Sequence, residues 1–288
     1  MAVAPFPIGN QANYVNTIFA KKLLVRFLES TILEKVTNTD YQGEISGKGS
    51  KVIIRHTPQV TIKDYTGTVE ADSLGEGTTE LNIDRAKYYA FNDDDIFVAQ
   101  RDIKTFVSEA SKNAAQQMAI KVEKDVFGNV YADAGFQMNA GTTGTPLAVS
   151  KNDILDLITD VNVKFTELNI PQEDRFIILP AWAVGLVRKS ELRQAQITGD
   201  NTGVIRTGTV GTVDGLNIYS SNCLTVNGDG SVHSIAGIKQ AVSFASQFVN
   251  NESNRSTTSF STVYRGLKVY GFKTVQPSCL IDVLIKKA

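Results

Sequence analysis

The sequence predicts an α+β fold, and three observations predict it. A polar, strand-patterned excursion occupies residues 41–91 between two helix-patterned segments. After it, apolar residues recur at three- and four-residue steps from Ile96 to Val130, far beyond an ordinary globular helix. Finally, a helix, strand, helix pattern from Ser150 to Leu186 is followed by strand-like segments toward the C-terminus.

A chain of 288 residues, 42% of them hydrophobic, can build a sizeable core. Its 29 basic and 30 acidic residues leave a formal net charge of -1, so no global field draws it to nucleic acid or to an acidic membrane surface. Cys223 and Cys279 are too few for a disulfide framework and suit free thiols in a reducing compartment. Met1 to Gln11 lacks a basic region leading into an apolar run, and no stretch reaches the roughly 18 apolar residues of a membrane span. The chain is expected to be soluble and intracellular when made.

The elements follow in order. Residues 1–13, with Pro5, Pro7 and Gly9, read as an extended arm. Ile18, Val25, Leu28, Ile32 and Val36 place a first helix at about 14–36. Lys51 to Tyr65 and Thr78 to Ile83 are rich in β-branched residues and read as two strands, joined by a glycine-bearing acidic tip with Glu70, Asp72 and Glu76. A two-stranded ribbon is marginal alone in water, so this one needs something to lie on. At Asn92 to Asp95 the pattern turns helical, since carboxylates favour a first turn. A helix from Asp95 to Tyr131 would span about 55 Å at 1.5 Å per residue, one face on a sheet and the other in solvent.

Gly135 to Pro146 marks a boundary. Ser150 and Asp153 form a capping-box-like start to a helix bearing Ile154, Ile158, Val161, Phe165 and Leu168. Phe176 to Leu179 reads as a buried strand, and Pro180 suits the first turn of a helix carrying Trp182 and Leu186. Asp214-Gly215 signals a tight hairpin whose second strand is Leu216 to Tyr219. Residues 235–245 fit strand or helix. Leu267 to Val275 and Leu280 to Ile285, separated by Pro277, are expected to form a terminal strand pair that floors the long helix.

Catalytic chemistry finds little footing. The two histidines are His56, inside a ribbon strand, and His233, ten residues from Cys223, and both are better explained structurally. Four scattered Cys and His make zinc improbable. Gly47-Lys-Gly-Ser50 lacks the spacing of a phosphate loop, and Gly208 to Gly215 lacks that of a dinucleotide fingerprint. Asp93 to Asp95 could hold a divalent cation, but helix capping accounts for them. No catalytic, cofactor or metal residues are assigned.

Four stretches carry a resemblance. They are Asp40-Tyr-Gln-Gly-Glu44, Val60-Thr-Ile-Lys-Asp-Tyr-Thr-Gly67, Ile83-Asp-Arg-Ala-Lys-Tyr-Tyr-Ala-Phe91 and Val263-Tyr-Arg-Gly-Leu-Lys-Val-Tyr-Gly271. With the element order, they resemble tailed-bacteriophage major capsid proteins of the HK97-like fold, in the P22-coat-like branch. The resemblance runs from about residue 14 to the C-terminus. It implies an N-terminal arm (1–13), an N-terminal helix region (14–40) and an extended β-hairpin loop (41–91) that lies on a neighbouring subunit. It further implies a peripheral domain with a spine helix (92–149), an α/β axial domain (150–246) and terminal strands returning to the peripheral domain (247–288).

The implied function is a coat protein that assembles through pentamers and hexamers into an icosahedral head around double-stranded DNA, contacted non-specifically. It would reside in the virion, and in host cytoplasm during assembly. A portal protein is an implied partner, and so is a separate scaffolding protein, because no long helical prodomain precedes Asn13. The alternatives are the shell of a cellular nanocompartment of the same fold, or a hydrolase or nucleotide-binding enzyme with its site in 150–246. Subunit-contact candidates are Lys63, Asp64, Tyr65, Glu70, Asp72, Glu76 and Arg85. Reversing the charges of Glu70, Asp72 and Glu76 together is expected to impair assembly, scored by electron microscopy, while leaving the melting temperature of the monomer nearly unchanged.

Overall fold

The computed structural model describes residues 31–41, 51–56, 60, 62–65, 77–95, 106–138, 145–190 and 211–288. The arm, most of the first helix and the ribbon tip with Glu70, Asp72 and Glu76 lie outside the described residues. Of the first helix, the described part is a single turn, α1 (Leu33–Val36), which buries Leu33 and Val36.

The core is a seven-stranded mixed sheet. At its centre lies β6 (Arg175–Leu179), with every residue buried. On one side β6 pairs in parallel with β8 (Leu216–Ser220), which turns back from β7 (Thr212–Val213). On the other it pairs antiparallel with β9 (Val232–Ile238), which pairs antiparallel with β12 (Leu280–Lys287). The short strands β4 (Phe136–Met138) and β5 (Leu147–Val149) run parallel to β12 and close that edge. Continuous apolar runs such as Phe176 to Leu179 mark strands covered on both faces. The β7–β8 turn has Asp214 at φ 49° and Gly215 at φ 78°, the left-handed pair of a two-residue hairpin turn.

The helix, strand, helix segment forms as its pattern predicts. The spine helix, α2 (Phe106–Val130), precedes it; α3 (Asp153–Glu167) buries Ile154, Leu157, Ile158, Val161 and Phe165, and α4 (Ala181–Lys189) buries Ala183, Val184 and Val187. The Asp153 carboxylate accepts hydrogen bonds from the Ser150 amide and hydroxyl, which is the reach-back half of the expected capping box; no side chain caps α3 at its N-cap, Asn152. Arg175, 2% exposed, lies under the C-terminal end of α3. Its guanidinium donates to Pro171 O at 2.8 Å, to the Asn162 side chain and to Ile170 O, and it faces the Phe165 ring at 5.5 Å.

A second sheet has the order β10-β11-β3, from β3 (Arg85–Asp94), β10 (Val242–Arg255) and β11 (Ser261–Thr274). The hairpin β10–β11 is inserted between the adjacent core strands β9 and β12, so two connections root it in the first sheet. At its edge Asn38 exchanges backbone hydrogen bonds with Val242 and Phe244 at 2.8 and 2.9 Å.

Two sequence expectations are corrected here. The chain does not turn helical at Asn92: β3 continues to Asp94, because Asn92, Asp93 and Asp94 pair with Val263, Thr262 and Ser261, and ladder pairing outweighs a capping preference. Nor do the last two apolar segments pair with each other. β11 lies between β10 and β3, whereas β12 enters the core sheet, where six consecutive residues from Leu280 to Ile285 are buried. Residues 235–245 resolve as the end of β9, a 3-10 turn over Lys239–Ala241 and the start of β10.

The ribbon pairs β1 (Lys51–His56) antiparallel with β2 (Gly77–Asn82). Its inner face, Val52, Ile54 and Leu81, packs on Ala245 of β10 with Tyr41, Ile83 and Val275 around it. The chain leaving β2 crosses β11 so closely that a Cβ on Gly271 would stand 2.0 Å from Asn82 O. Gly271→Ala is therefore expected to lower stability by about 1–3 kcal/mol in thermal unfolding. Gly185→Ala, inside α4 with nothing within 4 Å of the added carbon, is expected to be neutral or to stabilise by up to about 1 kcal/mol.

Candidate subunit-contact surface

Strand alternation decides what the ribbon shows to its surroundings. With Val52 and Ile54 turned in, Lys51, Ile53 and Arg55 turn out, and Ile53 is 54% exposed. Lys51 Nζ meets Glu80 Oε1 across the strands at 2.8 Å, an exposed pair contributing about 0–1 kcal/mol. Beyond β1, Val60, Ile62 and Tyr65 are 59%, 89% and 77% exposed, so most of the surface of three large side chains lies in water. Lys63 and Asp64 are exposed between them.

The sequence-derived candidates therefore separate. Lys63, Asp64 and Tyr65 stand on this exposed segment. Arg85 does not join them: as the first residue of β3 it turns toward its own spine helix, with Nη1 donating to Asp125 Oδ2 at 2.8 Å and the guanidinium 4.6 Å over the Phe272 ring. The same Asp125 oxygen accepts the hydroxyl of buried Tyr270 at 2.6 Å. Arg85, Asp125 and Tyr270 thus pin the ribbon's exit strand, the spine and β11 at one point.

The charges in this knot respond to its partners. Burial alone would push the Asp125 carboxyl up, but the hydrogen bonds from Tyr270 and Arg85 outweigh it and hold the group below the usual carboxylate range. Burial first, then the bond to Asp125, pushes the Tyr270 hydroxyl well above the ordinary tyrosine value. Arg85 is pushed up chiefly by its hydrogen bond to Asp125.

Sequence patterning also missed Glu123. This carboxylate is 2% exposed on α2, and Oε2 accepts the amides of Ile32 at 2.7 Å and Leu33 at 3.2 Å while Oε1 accepts the Ser221 hydroxyl at 2.8 Å. The available signal was its place directly after Val122 in the buried stripe. His233 holds β9 to β12 through Nδ1 and Asp282 Oδ2 at 2.8 Å, with Asn227 Nδ2 at 3.1 Å from Nε2 and the Tyr131 ring at 4.2 Å. Cys223 Sγ instead faces Ile120 O. Among the described residues no group of three or more His, Cys, Asp or Glu could hold a metal ion, and no helix is long and apolar enough to cross a membrane.

A family model described as phage capsid protein matches residues 76–283. The chain belongs to the phage capsid family. A solved structure of Mycobacterium phage Che8 is similar over 94% of this chain and 97% of its own, with 26% identity and a TM-score of 0.79. The capsid of Cyanophage P-SCSP1u follows at 16% identity and TM-score 0.71, covering 96% and 94%. The head of Helicobacter pylori bacteriophage KHP40 covers 100% of both chains at 11% identity and TM-score 0.66. Comparison with curated proteins finds no match. The fold is thus the α+β, HK97-like one, and the chain is a structural major capsid protein of a phage head, one of many copies in a shell.

The Arg85, Asp125, Tyr270 knot in the capsid protein makes stability depend on pH at both ends. A raised Tyr270 pKa means its contribution is full below the unfolded tyrosine value of about 10 and is lost as pH rises beyond it. A lowered Asp125 pKa means its contribution is present above about 3.9 and is lost as pH falls through the folded value. Tyr270→Phe should cost about 1 kcal/mol at neutral pH and flatten the alkaline fall in melting temperature, read by calorimetry between about pH 9 and 11.

Proposed function

We propose that the ribbon is the extended loop by which one capsid subunit lies across the next. The observation that carries this reading is the apolar run Val60, Ile62 and Tyr65, left exposed on a ribbon whose base is buried in its own chain. Lys63, Asp64 and Tyr65, with Glu70, Asp72 and Glu76, would supply the contacts, while Arg85 holds the base. Each exposed pair is weak, but a shell repeats it at every subunit. The division into peripheral domain (92–149), axial domain (150–246) and returning strands (247–288) belongs to this reading, as does the P22-coat-like placement.

In the same reading the copies group as pentamers and hexamers and close into an icosahedral shell around double-stranded DNA, with scaffolding and portal proteins as partners in the host cytoplasm. The role is structural, without catalysis. The phage family match favours this over a nanocompartment shell or a hydrolase. Coexpression with the neighbouring head proteins should yield closed shells by electron cryomicroscopy, and a compact monomer under all conditions would overturn the reading. Replacing Val60 and Ile62 by serine should abolish shells while shifting monomer stability by no more than about 0.5 kcal/mol.

A further inference from the structure

The connection from β8 to β9 ends in an exposed turn with the sequence Asn227-Gly-Asp-Gly-Ser231. Asn227 N donates to Ser231 O at 2.8 Å and Gly230 N to Asn227 O at 3.0 Å, while the Asp229 carboxylate accepts the Ser231 amide and hydroxyl at 3.1 and 2.7 Å. The Asn227 carboxamide is held as well, its Nδ2 donating to Ser231 Oγ and standing 3.1 Å from His233 Nε2. Because His233 Nδ1 faces the Asp282 carboxylate at 2.8 Å, that nitrogen carries the proton, and Nε2 is the lone pair that receives Asn227 Nδ2. Gly228, next in the chain, has an ordinary negative φ, its amide donates to no group among the described residues, and a carbon built on it meets nothing within 4 Å.

We propose that Asn227 and Gly228 form a self-modification site, where the carboxamide becomes a carboxylate that clamps His233 as a cation. A backbone amide can attack the side-chain carbonyl of the residue before it, and glycine, lacking Cβ, leaves the attacking nitrogen uncrowded. Gly228 N gives its proton to solvent and bonds to Asn227 Cγ, closing a five-membered imide; the Cγ–Nδ2 bond breaks, and the nitrogen takes a proton from solvent and leaves as ammonia. Water then opens the imide to aspartate or isoaspartate. One water is consumed and one ammonia released, with no oxidant or cofactor. The turn decides where the new charge goes. In the aspartyl product a carboxylate oxygen stands where Nδ2 stood, against His233 Nε2, and an acceptor there calls for a proton on that nitrogen. His233 then lies between two carboxylates, one from the turn and Asp282 from β12. The other titratable groups around it are Tyr131, whose ring lies at 4.2 Å, and Asp229 of the turn, which Lys286 of β12 attracts. A shell subunit is kept rather than replaced, so a slow irreversible step accumulates in it. The inference is independent of how the ribbon docks.

The test incubates the full-length chain at mildly alkaline pH and follows position 227 by peptide mapping with fragment-ion localisation. The expected result is a mass gain of about 1 Da in ordinary water and about 3 Da in heavy-oxygen water, the excess marking the water that opened the imide. Gly228→Ala, which the open space and ordinary backbone there accommodate, should keep the melting temperature and slow conversion on the order of tenfold. Asn227→Asp, standing for the product, should melt below the unaltered chain at about pH 9, where a neutral imidazole faces its carboxylate, and recover at about pH 6, where the imidazolium forms. Combined with His233→Gln, this pH dependence should vanish. An unchanged mass at 227, under conditions that fully convert a free peptide of the same sequence, would overturn the site, as would a Gly228→Ala rate equal to that of the unaltered chain. A melting deficit of Asn227→Asp that is the same at both pH values would overturn the clamp on His233.

Discussion

The fold depends on one buried carboxylate. Glu123 lies at 2% exposure on α2, and its two oxygens meet donors from distant parts of the chain. A buried charge is unfavourable unless hydrogen-bonded partners surround it. Here the amides of Ile32 and Leu33, at the open N-terminal end of α1, and the hydroxyl of Ser221, just past β8, fill that role. The same three contacts join the N-terminal segment, the spine and the core sheet. From that junction α1 leads to Asn38, which joins the edge of β10, so the second sheet is indexed to the first.

The ribbon is treated differently from the core. Its base is secured three ways: the Val52, Ile54, Leu81 cluster on Ala245, the crossing over Gly271 that leaves no room for a Cβ, and Arg85 bound to Asp125. Beyond the base, burial stops, and Val60, Ile62 and Tyr65 face water. A firm root with an unburied reach suits an element whose packing is completed by another subunit, since rigidity at the root limits the entropy lost on docking.

Legibility in the sequence followed the range of the interactions. The spine stripe Met118, Val122, Val126 and Val130, the helix on Ile154 to Phe165, the buried strand at Phe176 and the Asp214-Gly215 turn are periodic or local signals, and all form where the pattern placed them. The long hairpin was legible only in part: Leu267 to Val275 reads as a strand and lies mostly in β11, but Asn250 to Ser259 is polar, without the alternation of a strand, and its pairing is specified by ladder partners. Among the subunit-contact candidates, Lys63, Asp64 and Tyr65 lie on an exposed segment, whereas the inward turn of Arg85 depends on Asp125, forty residues on.

By itself, then, the sequence determined the α+β class, the spine, the α/β segment and the capsid resemblance, since hydrophobic periodicity and turn chemistry act over a few residues. The tertiary structure alone decided that β12 joins the core rather than β11, that β3 runs through the acidic Asn92 to Asp94, and that Glu123 and Asp125 are internal junctions. Each of these depends on which distant groups come to satisfy a buried polar atom or a strand edge, and no local pattern encodes that pairing.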